Sequence, residues 1–227
     1  MADNGWTSRL REQPPEDWPA FLTENSGLPG PRANLTLVAA AATTAEPDTI
    51  AILLEDGGEY TAMCAAAALA HRADDPAVEV RARTRATDER WRVREGVAIG
   101  LQLLGDQNPG ALVRIVEAWI EDTHPLVQRA ALAAICEPRL LREPATAVAA
   151  LDACQRATAA FVALPTARRT DQDARSLRQA LAYCWSIAVA AQPREGIDES
   201  SALDAADPDV AWIIAQNRRK KRLASLL

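Results

Sequence analysis

A hydrophobic stripe that recurs at a fixed interval constrains this chain more than any other feature. Val93, Val97, Leu101 and Leu104 fall at i, i+4, i+8 and i+11 within RWRVREGVAIGLQLL, one face of an α-helix. Val127, Ala131 and Ile135 restart the stripe 34 residues later, and Tyr60, Cys64, Ala68 and His71 carry a fainter copy 33 residues earlier. Leu177, Leu181, Trp185 and Ala188 resume it 50 residues after Val127, so that unit carries an insertion; Val210 then follows Leu177 by 33. A helix with one apolar stripe cannot bury it alone, so units repeating at this period must stack on one another. The expectation is an all-α fold of stacked helix pairs.

Turn chemistry places the boundaries. Pro47, the Asn108-Pro109 pair, Glu143-Pro144 and Asp207-Pro208 each pair a cap or turn residue with a proline suited to the first helical position. Helices are expected at Ala33–Ala45, at Asp48–Leu54 and over the long stretch Ala145–Leu164. Pro76–Arg85 reads either as a partner helix or as an extended or irregular segment, and Pro165–Asp173 as an exposed polar loop. Residues 1–32 form a less regular N-terminal segment, in which EDWPAFLTEN is a short helix and SGLPGPR a helix-to-helix turn. Helix pairs fill about 33–222, and all 227 residues are read as a single domain.

Alanine dominates and aromatics make up only 4%, the composition of closely packed helices with small contact residues. The net charge of −6 gives no global attraction to phosphate or to anionic lipid. Lys220 and Lys221 are the only lysines among 25 basic residues, an arginine excess that a GC-rich coding sequence explains. Cys64, Cys136, Cys154 and Cys184 are far apart in sequence with no C-x-x-C pair, and read as reduced, buried thiols. Asp3 and Arg9 stand where a leader would be apolar, and no run approaches the roughly 18 apolar residues of a membrane span. A cytoplasmic protein without membrane contact is expected. His71 and His124 lack partners at metal spacing, and no Ser-His-Asp or Cys-His set stands out, so neither metal, cofactor nor hydrolase chemistry is expected.

The order apolar helix, Asp-x-x, Val-Arg-x-x-Ala-x-x-x-Leu resembles the HEAT repeat. VEAWIEDTHPLVQRAALAAI carries it best, DERWRVREGVAIGLQLLG nearly as well and DPDVAWIIAQN in part, over roughly Asp56 to Arg222. The whole arrangement, with SGLPGPRANL, CEPRLL and YCWSIAVA, also resembles bacterial HEAT-repeat proteins without a settled activity, some of them labelled as DNA alkylation repair proteins. The resemblance implies an α-solenoid whose second helices, those holding Cys64, Val97, Ala131, Leu181 and Ile214, line a concave face. By similarity to the HEAT-like alkylpurine DNA glycosylases, Trp91 and Glu95 match the aromatic and the carboxylate of that site. Arg129 matches its backbone-binding arginine, and Trp185 a second aromatic wall. The carboxylate is Glu where that family has Asp, and the insertion before Trp185 changes the spacing.

Each of these residues also has a structural reading. Glu95 and Arg129 stand 34 apart at matching repeat positions and suit an inter-repeat ion pair. Trp91, Trp119, Trp185 and Trp212 suit packing at the joints between units. Arg94, Arg129 and Arg178 each open a second helix and form either a ladder for phosphates or an acidic segment, or stems covering apolar joints. Arg218 and Arg219 begin a run to Arg222 that favours the helix C-terminal dipole or adds to a binding face. The function expected is therefore a non-catalytic binding module whose concave face holds a protein or other polyanionic partner, a protein first and DNA second. The alternative is a DNA-binding protein or glycosylase of the alkylation-repair type.

Overall fold

The computed structural model describes residues 5–30 and 32–224. Asp3 of the N-terminus and Pro31 of the SGLPGPR turn lie outside the described residues. Among these the protein is all-helical, with fourteen α-helices, three short 3-10 turns and no strand. Seven of the 14 prolines are the first residue of a helix: Pro47, Pro76, Pro109, Pro125, Pro144, Pro193 and Pro208. Proline lacks only an N–H that the first turn leaves unused, so this punctuation starts helices at no hydrogen-bonding cost. Contacts divide the chain into two compact units, Met1–Gln107 and Asn108–Leu227.

The first unit holds α1 (Trp6–Arg11), α2 (Trp18–Glu24), α3 (Leu35–Thr44), α4 (Pro47–Asp56), α5 (Glu59–His71), α6 (Pro76–Arg85) and α7 (Trp91–Gln107). Its centre is α5, in which every residue from Tyr60 to Ala70 is buried. The stripe at Tyr60, Cys64 and Ala68 is thus one side of a helix enclosed all round by α3, α4, α6 and α7. The most extensive contact is with α7, and glycine sets its closeness. A Cβ on Gly96 would stand 2.3 Å from the Met63 carbonyl oxygen, and one on Gly100 would stand 2.2 Å from that of Ala67. Pro76–Arg85, open to two readings from its residues, is a helix: the Asp75 side chain accepts from the Ala77 N–H at 2.8 Å, and Ala82 is its one buried residue.

The second unit holds α8 (Pro109–Ile120), α9 (Pro125–Ile135), α10 (Pro144–Ala163), α11 (Gln172–Ala191), α12 (Pro193–Ser201), α13 (Pro208–Arg218) and α14 (Lys221–Ala224). The 20-residue α11 is its axis and packs on α9, α10, α12 and α13, while α8 also packs on α10. Asn108, His124 and Asp207 cap α8, α9 and α13 through their side chains, and the lone histidine of the turn is therefore a capping residue. Cys136 and Cys154, 18 apart in sequence, bring their sulfurs to 4.0 Å, and Cys184 donates to the Leu132 carbonyl at 3.7 Å. All four cysteines are free and buried, and burial pushes the Cys64 and Cys154 thiols up.

Candidate binding surfaces

Several arginines are engaged by the chain's own backbone and carboxylates. Arg72 reaches back to the end of α3 and donates to the Ala42 carbonyl at 2.9 Å and to that of Ala45. Arg94 Nη1 donates to the carbonyls of Asp88 (2.6 Å) and Glu89 (2.9 Å) in the turn before its own helix. Arg169 holds the Leu164 carbonyl at 3.1 Å and that of Val162, and bridges to Asp207 at 2.6 Å. That contact, with the Asp209 and Val210 N–H groups, holds the Asp207 carboxyl below the usual carboxylate range. A guanidinium suits this work because its five donors satisfy carbonyls that helix ends leave open. The arginine excess thus has a structural use beyond codon composition.

The residues singled out from the sequence divide accordingly. Arg178 pairs with Asp209, and its guanidinium lies 4.5 Å from the centre of the Trp212 ring. With Arg94 engaged by carbonyls, two members of the expected ladder are held inside their own units. Glu95 is half-buried on α7 in the first unit, and Arg129 is half-buried on α9 in the second. Trp185, expected as an aromatic wall, is core: 1% exposed, it donates Nε1–H to Thr158 Oγ1 at 3.0 Å. The cavity beside it offers about 30 Å³, room for a water or two but not for a nucleobase. Trp119 is buried as joint packing requires, but Trp91 is 54% exposed, preceding the stripe that Val93 begins. Arg218 and Arg219 are exposed at the end of α13.

Two surfaces, one in each unit, set an exposed aromatic ring beside cations. In the first, the Arg92 guanidinium lies 4.5 Å from the centre of the exposed Trp91 ring and pairs with Glu59 at 2.9 Å. Beside it an open cavity of about 460 Å³ is lined by Ser26, Pro29, Gly58, Glu59, Tyr60 and Arg92. The Gly27 φ of +74° and the Gly30 N–H to Gly27 carbonyl bond of 2.9 Å shape that rim. In the second, Tyr183 on α11 is 44% exposed, with Lys220 Nζ at 5.3 Å and the Arg222 guanidinium at 5.1 Å from its ring centre. Arg222 also donates to the Tyr183 hydroxyl at 3.3 Å. Two members of the run Arg218–Arg222, Lys220 and Arg222, thus meet an aromatic face rather than simply trailing from a helix, which their sequence position does not reveal.

Among the described residues no group of three or more His, Cys, Asp or Glu side chains could hold a metal ion. Among them, too, no helix is long and apolar enough to cross a membrane. No protein family, no curated protein and no solved structure matches the chain.

Proposed function

We propose that this protein is a non-catalytic binding module, an α-solenoid of HEAT-like helix pairs that holds an acidic protein partner. The observation that carries the reading is the pairing of its two exposed aromatic rings with cations. Trp91 lies beside Arg92 and Tyr183 beside Lys220 and Arg222, in a chain whose net charge is −6. An acidic protein that keeps basic groups on its exposed rings presents local sites where an anionic, partly apolar surface is attracted. Aromatic residues and arginine are the types enriched where protein surfaces bind. The repeat reading is supported within the units by like helices lying side by side: α5 on α7, and α11 on both α9 and α13. These five follow one another at the period of the recurring stripe, the feature that stacked repeat units share.

Binding of labelled poly-glutamate, with duplex DNA and methylated duplex DNA as parallel probes, tests the reading. Saturable, salt-sensitive binding of the acidic polypeptide is expected, weakened about 5- to 30-fold by Trp91→Ala or Tyr183→Ala, the range of a partly desolvated cation–aromatic contact. Poly-glutamate binding that neither substitution changes refutes it. Preferential duplex binding with release of alkylpurine instead establishes the glycosylase alternative, against which the enclosure of Trp185 counts.

A further inference from the structure

Three thiols converge in the core of the second unit. Cys136 is the residue on which α9 ends, Cys154 stands midway along α10, and Cys184 lies on α11. The Cys136 and Cys154 sulfurs are 4.0 Å apart, and Cys136 also shares a hydrogen bond with Cys184, whose sulfur donates to the Leu132 carbonyl at 3.7 Å. The three do not form a metal-holding group, which leaves the chemistry of the sulfurs with one another. A disulfide needs its sulfurs at about 2.0 Å, so the Cys136–Cys154 pair is about 2 Å short of bonding distance. Cys136 can supply that movement. Its φ of −77° and ψ of 50° lie outside the helix, and Glu137 and Pro138 after it are not helical, whereas Cys154 is fixed in mid-helix. Cys136 is also the more accessible of the two, 5% exposed against 0% for Cys154.

We propose that Cys136 and Cys154 form an oxidation-driven staple, in which a peroxide converts the pair to a disulfide that ties the end of α9 to the middle of α10. The Cys136 sulfur attacks one peroxide oxygen and the O–O bond breaks, giving a sulfenic acid and one water. The Cys154 sulfur then bonds to the sulfenic sulfur, whose oxygen leaves as a second water with the Cys154 proton. The two electrons that the thiols lose are the two that the peroxide gains. Placement decides the product, because a sulfenic acid beside a second thiol is captured before another peroxide reaches it. Burial decides the rate. The neighbouring Cys154 thiol and burial hold the Cys136 thiol well above its ordinary range, and burial holds Cys154 up as well. Little thiolate is present at neutral pH, so the staple closes slowly under sustained oxidant. It joins residues 18 apart, around the Leu140–Arg142 turn and the first half of α10, and so removes freedom from the unfolded chain. None of the ring–cation contacts at Trp91 or Tyr183 takes part.

The reduced full chain, incubated with hydrogen peroxide under native conditions, blocked with a thiol reagent and digested without reduction, is mapped by mass spectrometry. Loss of two of the four thiols, one intramolecular Cys136–Cys154 link and its reversal by dithiothreitol are expected. The melting temperature is expected to rise by about 4–12 °C on oxidation, the range for closing a loop of this length in a chain of this size. Cys136→Ala and Cys154→Ala each lose the link and the rise, while Cys64→Ala, in the first unit, keeps both. Circular dichroism of the reduced variants reports whether the fold is kept, and the mapping of the unsubstituted chain does not depend on it. Four surviving thiols, a link between any other pair, Cys136 recovered as sulfinic acid, or a link that forms only in urea overturns the proposal. So does a Cys136–Cys154 link that leaves the melting temperature unchanged or lowers it.

Discussion

Gly100→Ala is the sharpest test of how the first unit is packed. A Cβ there meets the Ala67 carbonyl oxygen at 2.2 Å and the Ala70 Cβ at 2.7 Å, and at Gly96 it meets the Met63 carbonyl oxygen at 2.3 Å. Tolerable Cβ contacts begin at 3.0–3.4 Å, so α5 and α7 must separate by about 0.7–1.2 Å. The obstructing atoms are backbone and cannot rotate away. A gap of that size forfeits about a quarter to a half of each dispersion contact along the seam, and overpacked cores lose about 1–3 kcal/mol. Alanine is the better helix former by about 1 kcal/mol, which offsets part of the loss. The expected net cost is up to about 2 kcal/mol, or a melting temperature lowered by up to about 8 °C. The double variant Gly96→Ala/Gly100→Ala is expected to cost less than the sum, because the helices part only once. Gly110→Ala is the control: its Cβ would meet only Asn108 Oδ1 at 3.7 Å, so the propensity gain stands alone. Urea unfolding in which Gly100→Ala matches Gly110→Ala refutes the close-approach argument.

Two further outcomes follow from buried polar groups. Asn217 is 2% exposed, accepts from the Ser186 N–H at 2.8 Å and donates to the Leu181 (3.0 Å) and Ile213 (2.9 Å) carbonyls, tying α13 to α11. Asn217→Ala is expected to lower unfolding free energy by about 2–4 kcal/mol for three lost bonds, and the neighbouring Arg218→Ala by no more than about 0.5 kcal/mol, measured by urea titration. His71 has its pKa lowered from 6.5 by burial and by the adjacent Arg72 charge. The unfolded chain therefore takes up the proton first, and the stability held above pH 6.5 declines as pH falls below it. The slope is at most about 1.4 kcal/mol per pH unit. His71→Gln should flatten the difference between urea midpoints at pH 7.5 and 5.5; an identical pH dependence in both proteins would exclude His71 as its source.

The residues alone determine the helices and where they start. Proline at a first helical position and a capping side chain before it are local chemistry, so Asn108-Pro109 and Asp207-Pro208 are legible without any neighbour. The stripes of α7, α9 and α11 are equally legible, since burial imposes a helical period on apolar residues. What surrounds each stripe is not local. Only the tertiary structure encloses α5 on every side, because alanine carries no signal that separates a buried face from an exposed one in EYTAMCAAAALAH. Gly96 and Gly100 look like weak points of a helix until α5 is placed against them. An arginine is equally suited to phosphate, carboxylate, carbonyl or ring. Only the fold commits Arg94 to the Asp88 and Glu89 carbonyls and Arg178 to Asp209 and Trp212. Helix formation is decided by chemistry within a few residues, whereas the use of a long charged side chain is decided by which partner the fold brings within reach, five and six residues away for Arg94 and 31 for Arg178.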